Sequence, residues 1–340
     1  ELLRHWHVLG CGAVGCLWAA HLRRAGREVT LLHRRASWAR QDSVEIQVRP
    51  AWAAAADGAP LASAWTARVG LEAAAASQGG SRIEGLLVAT KAFDAAAGVE
   101  ALGERLADGA VVVLLQNGMG VAEQVSSSPG VARRSPRLLV GTTTSGSYLE
   151  GEFQVVHAGR GETWLGKRGA WRGLPEPGDA IASLSVEGMA VSEDPCVELR
   201  LWRKLACNCA LNPLTALARC QNGRVLSVPE ARDTLEAVCS EVAAVMASAG
   251  VVEPASLAQT TAELVAFSVE VARRTAENYS SMLQDVLRGR RTEVESMNGY
   301  VAARAAELGV PVPATRQLLG LVRLLERHGV PATGGASPPA

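Results

Sequence analysis

The sequence predicts an α/β fold in two parts: an N-terminal Rossmann-type dinucleotide-binding domain followed by an all-α C-terminal domain. Three observations carry that prediction. Gly10, Gly12 and Gly15 stand in G-x-G-x-x-G spacing, directly after a short apolar run and before the helix-like stretch Leu17 to Arg24. Strand-like and helix-like runs alternate through the first half, as they do when helices cover both faces of a parallel sheet. After about Asp194 the strand signals stop and long helical periodicities follow one another.

In the first βα unit each glycine has its own task. Gly10 permits the tight turn, Gly12 lets the backbone approach a pyrophosphate, and Gly15 lets the helix pack on the strand. The phosphates then lie at the positive end of the helix, where the first N–H groups have no intrahelical partner. Glycine is frequent, at 34 of 340 residues, so the context of the triplet carries the assignment. That context is a second strand, Arg27 to Leu32, which completes a βαβ unit within the roughly 30 residues the motif requires. The second strand runs out into His33-Arg34-Arg35, with no carboxylate where NAD-preferring sites offer one to the ribose 2′-hydroxyl. Arg34 or Arg35 could pair bidentately with a 2′-phosphate, which favours NADPH; a solvated basic turn is the alternative.

The alternation continues through Leu86 to Thr90, Phe93 to Leu106, Val111 to Leu115, Val121 to Ser126 and Leu138 to Gly141. Ala51 to Gly80 is Ala-rich and weakly periodic, and reads as connecting segments with a short strand or two. Phe153 to Gly166 holds two short runs around the Gly-rich Ala158 to Gly161 and reads as an antiparallel hairpin closing the sheet. Helices are expected over Val197 to Leu211, Pro229 to Ala249, Pro254 to Ala276, Arg291 to Leu308 and Ala314 to His328. The expected domains are 1–193 and 194–330, with a tail at 331–340 whose Pro, Gly, Ser and Ala predict disorder.

A chain of 340 residues exceeds one ordinary core, and 48% apolar residues suffice to build two. Lys plus Arg equal Asp plus Glu at 34 each, so neither nucleic acid nor an anionic membrane is called for as a partner. The seven cysteines are scattered, odd in number and without a C-x-x-C pair. They read as buried reduced thiols of a cytoplasmic protein, with no metal site among them. No apolar run reaches the roughly 18 residues of a transmembrane helix. The first strand begins within about five residues of Glu1, which leaves no room for a signal peptide inside this numbering. The expected partner is a small molecule, and monomer and homodimer both stay open.

One helix of the second half carries an unusual polar stripe. In Leu201-Trp-Arg-Lys-Leu-Ala-Cys-Asn-Cys-Ala-Leu-Asn-Pro213, Lys204, Asn208 and Asn212 recur at i, i+4 and i+8 and so line one face among apolar neighbours. Each buried polar group left unmet costs about 1 to 3 kcal/mol, so something polar must meet them. An intramolecular network is one answer. A site for a small polar oxyacid is the other, with the lysine as cation or proton donor and the amides orienting the ligand.

From about Val8 to Leu325 the chain resembles the ketopantoate reductase (2-dehydropantoate 2-reductase) family. The resemblance rests on Gly10 to Trp18, Thr90-Lys91-Ala92, Gln116-Asn117-Gly118-Met119-Gly120 and Gly141 to Thr144. In the helical half it rests on Leu201 to Leu217, Ser280-Ser-Met-Leu-Gln-Asp285 and Thr292-Glu293-Val-Glu-Ser-Met-Asn298-Gly299. It implies a C-terminal domain like that of 6-phosphogluconate dehydrogenase, with Lys204 as catalytic acid. Asn208, Asn212, Asn222, Asn278 and Ser281 match substrate-holding positions, and Glu293 matches a position near the reacting end of cofactor and substrate. Lys91 and Asn117 match cofactor-site positions, Asn117 also lying near the substrate. The remaining cofactor contacts fall on Gly10, Cys11, Gly12, Ala13, Val14, Gly15 and Arg34. Read from the residues alone, Lys91 and Asn117 follow parallel strands, where open α/β sheets bind ligands. Asn278 and Ser281, three apart, could share a helical face, and Glu293 could also favour a helix N-terminus as a first-turn carboxylate.

The activity this implies is reduction of the 2-dehydropantoate ketone to pantoate by hydride from NADPH. Lys204 would stabilise and protonate the developing oxyanion. A reductase of the same fold for another branched 2-oxo acid is the alternative, and a non-catalytic NADPH-binding regulator a more distant one. Burial should lower the pKa of Lys204 while Glu293 opposes that shift.

Overall fold

A computed structural model describes residues 3–38, 40–51, 63–74, 80–169 and 177–328. The tail expected at 331–340 and parts of the Ala-rich segment lie outside the described residues. The chain divides into two compact units, one of residues 1–116 and 121–197, the other of residues 117–120 and 198–340.

The first unit is a sheet with helices. Its strands are β1 (His5–Leu9), β2 (Glu28–His33), β3 (Ser43–Pro50), β4 (Trp65–Ala73), β5 (Ile83–Val88), β6 (Leu106–Leu114), β7 (Arg137–Thr143), β8 (Gly146–Gly151), β9 (Gln154–Gly159), β10 (Glu162–Arg168) and β11 (Ala190–Glu193). Its helices are α1 (Ala13–Arg24), α2 (Ala92–Glu100), α3 (Val121–Ser127), α4 (Pro129–Ala132) and α5 (Gly178–Leu184). The strands run β11-β10-β7-β6-β5-β1-β2-β4-β3-β9-β8, and β7-β6-β5-β1-β2-β4 are mutually parallel. Val8, Leu86, Leu87, Val88, Val111, Val112 and Val113 are fully buried, as near-continuous apolar strands must be when both faces of a parallel sheet are covered.

The expected hairpin around Ala158 to Gly161 is not one. β9 pairs with β8 and β3, whereas β10 pairs with β7 and β11, near the other end of the strand order. β7 continues almost directly into β8 and β9 into β10, so the four make one long bent hairpin. Its turn lies at Glu152 and Phe153, where Phe153 takes φ 57°. The glycines that suggested a turn mark the bend instead. Gly146 pairs with Gly159, and a Cβ on Gly161 would stand 2.3 Å from the Ser145 amide nitrogen.

The second unit is helical among its described residues: α6 (Val197–Ala218), α7 (Asn222–Val225), α8 (Pro229–Ser248), α9 (Leu257–Arg274), α10 (Ser281–Leu287), α11 (Asn298–Leu308) and α12 (Pro313–His328). Trp202, Leu205, Val238, Val242, Met246, Leu283 and Val301 form its core. The helix expected to end at Leu211 runs on through Pro213 to Ala218. A proline inside a helix leaves the carbonyl four residues earlier without its donor, at a cost of about 3 kcal/mol. Here that carbonyl is Cys209 O, and the fully buried Asn298 donates to it from Nδ2 at 2.9 Å. Asn298→Ala should therefore lower unfolding free energy by about 1 to 3 kcal/mol, the cost of an unmet buried acceptor. An unchanged midpoint in urea would show that Asn298 does not support the helix at Pro213.

Two further boundaries move. α11 begins only at Asn298, after a 3-10 turn at Val294–Ser296 whose first N–H, that of Val294, donates to Thr292 Oγ1 at 3.2 Å. Glu293 therefore stands ahead of that turn and not in the first turn of an α-helix. α10 begins at Ser281 behind the cap Ser280, whose Oγ accepts from Leu283 N at 3.1 Å. Asn278 lies before the cap, so Asn278 and Ser281 share no helical face.

Candidate active site

In the first unit, β1 delivers the chain to Gly10 at φ +115°, a value that suits glycine. A Cβ there would lie 2.8 Å from Thr90 N, and a Cβ on Gly15 only 1.8 Å from Gly10 O. Gly12 differs: it is the cap residue of α1, and a Cβ on it would meet nothing within 4 Å. α1 has no side-chain cap and no acidic residue in its first turn, so no side chain occupies the positive end of this helix. A pyrophosphate fits this cradle. Cys11 bonds Leu32 O through Sγ at 3.7 Å, and burial pushes its thiol up to about 12, which leaves it unreactive. Lys91, half-buried, caps α2 in extended conformation just after β5.

The basic turn after β2 is not bare of carboxylates, because the fold brings them from elsewhere. Arg34 holds Asp94 in the first turn of α2 through two bonds, at 2.5 and 3.2 Å. Arg35 pairs with Glu152 at 2.8 Å and lies 4.6 Å over the Trp38 ring. Both arginines are exposed.

In the second unit, Lys204, Asn208 and Asn212 line one face of α6. Lys204 and Asn208 are half-buried, and Asn212 is buried with its Nδ2 on Met297 Sδ at 3.8 Å. Desolvation dominates the Lys204 amine and lowers it to about 8, with the nearby Glu293 carboxylate opposing. Glu293, 5% exposed, accepts from Asn117 Nδ2 at 3.4 Å. The segment 117–120 is fixed to the turn that follows Glu293: Met119 N donates to Ser296 O at 2.9 Å, and Gly118, at φ +84°, has no room for a Cβ beside Ser296 O. Glu293 thus meets both a cation, the Lys204 amine whose charge it favours, and an amide donor, Asn117.

Asn222 and Asn278 are brought together, whereas Ser281 opens α10 without a hydrogen bond to either among the described residues. Asn222 N donates to Asn278 O at 3.0 Å and Asn222 Nδ2 to Thr275 Oγ1 at 2.9 Å, while Asn222 Oδ1 is buried without a hydrogen-bond partner. Asn278 and Ser281 are exposed. Sequence reading missed the groups that tie this region to α6: Thr215 donates to Ser280 Oγ at 2.7 Å and to Asn212 O at 3.0 Å. Ser280 ahead of an apolar helix start carries an N-cap signal that could have been found. Asn298 had no such signal, since its partner Cys209 is 89 positions away.

Among the described residues no cluster of His, Cys, Asp or Glu could hold a metal, and no helix is long and apolar enough to cross a membrane.

Residues 6–170 match the family model described as ketopantoate reductase PanE/ApbA, and residues 197–326 match its C-terminal model. A 2-dehydropantoate 2-reductase of Vibrio cholerae is 33% identical over 322 residues, covering 94% of this chain and 97% of the relative. One from Halobacterium salinarum is 37% identical over 250 residues, 72% and 76% of the two chains. Among solved structures, a PanE/ApbA family ketopantoate reductase from Ralstonia eutropha superposes with TM-score 0.75 at 27% identity, covering 95% of this chain and 99% of the other. A D-mandelate dehydrogenase solved with NADH and anilino(oxo)acetate reaches TM-score 0.81 at 20% identity over 95% and 99%, a likeness of fold.

Proposed function

The chain belongs to the ketopantoate reductase family, and we propose that it reduces 2-dehydropantoate to pantoate with NADPH. The observation that carries this reading is the Lys204 amine, lowered to about 8 beside Glu293, on the α6 face that also carries Asn208 and Asn212. A proton donor works best when its pKa lies near the working pH. The cradle at Gly10, Cys11, Gly12, Ala13, Val14 and Gly15 suits a nicotinamide dinucleotide, which when bound would supply the hydride. Lys204 holds its proton on Nζ, stabilises the ketone oxygen as it gains negative charge, and releases the proton to it. Glu293 keeps the ammonium populated by opposing desolvation, and Asn117 orients Glu293. Asn208 and Asn212 orient the substrate along α6. Asn222, Asn278 and Ser281 complete its pocket, and the unmet Asn222 Oδ1 is an acceptor suited to a substrate hydroxyl. Residues 1–193 are the cofactor domain on this reading and 194–330 the substrate domain. The free thiols of the described cysteines suit a cytoplasmic setting.

The test is steady-state oxidation of NADPH with a panel of 2-oxo acids. The highest kcat/KM should fall to 2-dehydropantoate; a tenfold preference for another branched 2-oxo acid would overturn the substrate assignment.

NADPH should be preferred to NADH because Arg34 can exchange its Asp94 partner for a 2′-phosphate. Arg34→Ala should narrow the gap by weakening NADPH alone. Equal kcat/KM for both cofactors in the unmutated protein would show the basic turn to be a surface ion pair.

A further inference from the structure

Within the first unit lies a cavity of about 760 Å³ that the proposed reaction does not use. Its volume is that of a small-molecule site. The last turn of α1, the starts of β4 and β11 and the ends of β3 and β9 bound it. α1 is 12 residues long, so this end lies about 18 Å from the glycine turn at 1.5 Å per residue.

Four basic or imidazole side chains converge here: His21, Arg24, His157 and Arg160. Glu187 is the carboxylate among the described lining residues. His21, 6% exposed, meets Glu187 O through Nδ1 at 2.9 Å, which makes Nδ1 the donor. Its Nε2 is then a buried acceptor, and it has no hydrogen-bond partner. The His21 ring stands edge-on to His157 at 5.5 Å and to Trp65 at 5.0 Å, and Arg24 lies 4.8 Å over Trp65. These contacts pack the rings edge to face and lay one guanidinium over Trp65. Burial lowers both imidazoles, His157 to about 4, so at neutral pH the standing charge is that of Arg24 and Arg160 against Glu187.

We propose that this cavity binds a small phosphate-bearing anion. Its oxyanions pair with the two guanidinium groups, and a P–OH donates to His21 Nε2. The phosphate is either free or esterified to a small organic group, and the same contacts serve both. Part of the basic charge also offsets the negative end of α1, a structural role that would change stability but not ligand binding.

The experiment is calorimetric titration of the whole protein with inorganic phosphate and, separately, phenyl phosphate. At least one should bind, and the stronger identifies the free or esterified source. Arg24→Ser/Arg160→Ser should weaken that binding at least about tenfold, as expected for losing charge-assisted bonds, with NADPH binding retained. Arg34→Ala should leave phosphate binding unchanged. If the double variant fails to fold, Arg160→Ser alone, at an exposed residue, should still weaken binding. Absence of binding by the unmutated protein, equal affinity in the Arg24 and Arg160 variants, or loss in Arg34→Ala would overturn the proposal, the last by moving the anion to the dinucleotide turn.

Discussion

Lys204→Ala should lower kcat on the order of 100-fold or more while leaving NADPH affinity near that of the unmutated protein. In the mechanism proposed above the interaction removed is between the ammonium and an oxygen whose charge grows as the hydride arrives, so it is strongest in the transition state. Removing one such preorganised donor typically costs 10² to 10³ in rate. The helix should survive the change, since alanine is its best former and Lys204 contributes no residue to the apolar core. Burial of the amine already costs stability, as its lowering to about 8 records. Stopped-flow and steady-state kinetics with 2-dehydropantoate, alongside a fluorescence titration of NADPH, separate the two effects. A variant with near-normal kcat would remove Lys204 from the role of acid.

Gly15→Ala and Gly12→Ala should fail in different ways. A Cβ on Gly15 would stand 1.8 Å from Gly10 O, about half an ordinary contact, so α1 or the turn must move by more than 1 Å. Misplacement on that scale costs on the order of 10²-fold in function. Gly15→Ala should thus lose dinucleotide binding and thermal stability together. Gly12 has empty space where its Cβ would go. Gly12→Ala should keep the melting temperature and lose cofactor affinity, because the methyl would enter the space that the proposed pyrophosphate site needs. Equal dinucleotide affinity in Gly12→Ala and the unmutated protein would show that the phosphates bind elsewhere.

The contrast between local and distant determinants explains what the sequence made legible. The glycine turn and the α6 stripe lie within single elements, where spacing alone sets geometry: period 3.6 puts Lys204, Asn208 and Asn212 on one face. The α/β then all-α order followed from periodicity for the same reason. Partnership across the chain was not legible. The strand pairs of the bent hairpin depend on where β3 and β7 lie, and Gly159 to Gly161 looks alike as a turn or a bend. The carboxylate that meets Arg34 is not visible in its own segment, because Asp94 is 60 positions away. The helix through Pro213 needed Asn298 to meet a carbonyl, and no local rule pairs those two. Glu293 reads as a helix start because the apolar periodicity runs on through the 3-10 turn ahead of α11.

The most direct measurement of the proton-donor assignment is the pH dependence of both reaction directions with hydride transfer rate-limiting. Lys204 is lowered by desolvation to about 8, against an ordinary value of 10.5. Below that pH the amine is an ammonium and can donate; above it the amine is neutral and can accept. Reduction of 2-dehydropantoate should therefore fall as pH rises through about 8, while oxidation of pantoate by NADP⁺ should rise over the same interval. Lys204→Ala should lose both limbs. If both directions of the unmutated enzyme instead changed in the same sense across this range, the proton would come from another group, and the role given to Lys204 would be contradicted.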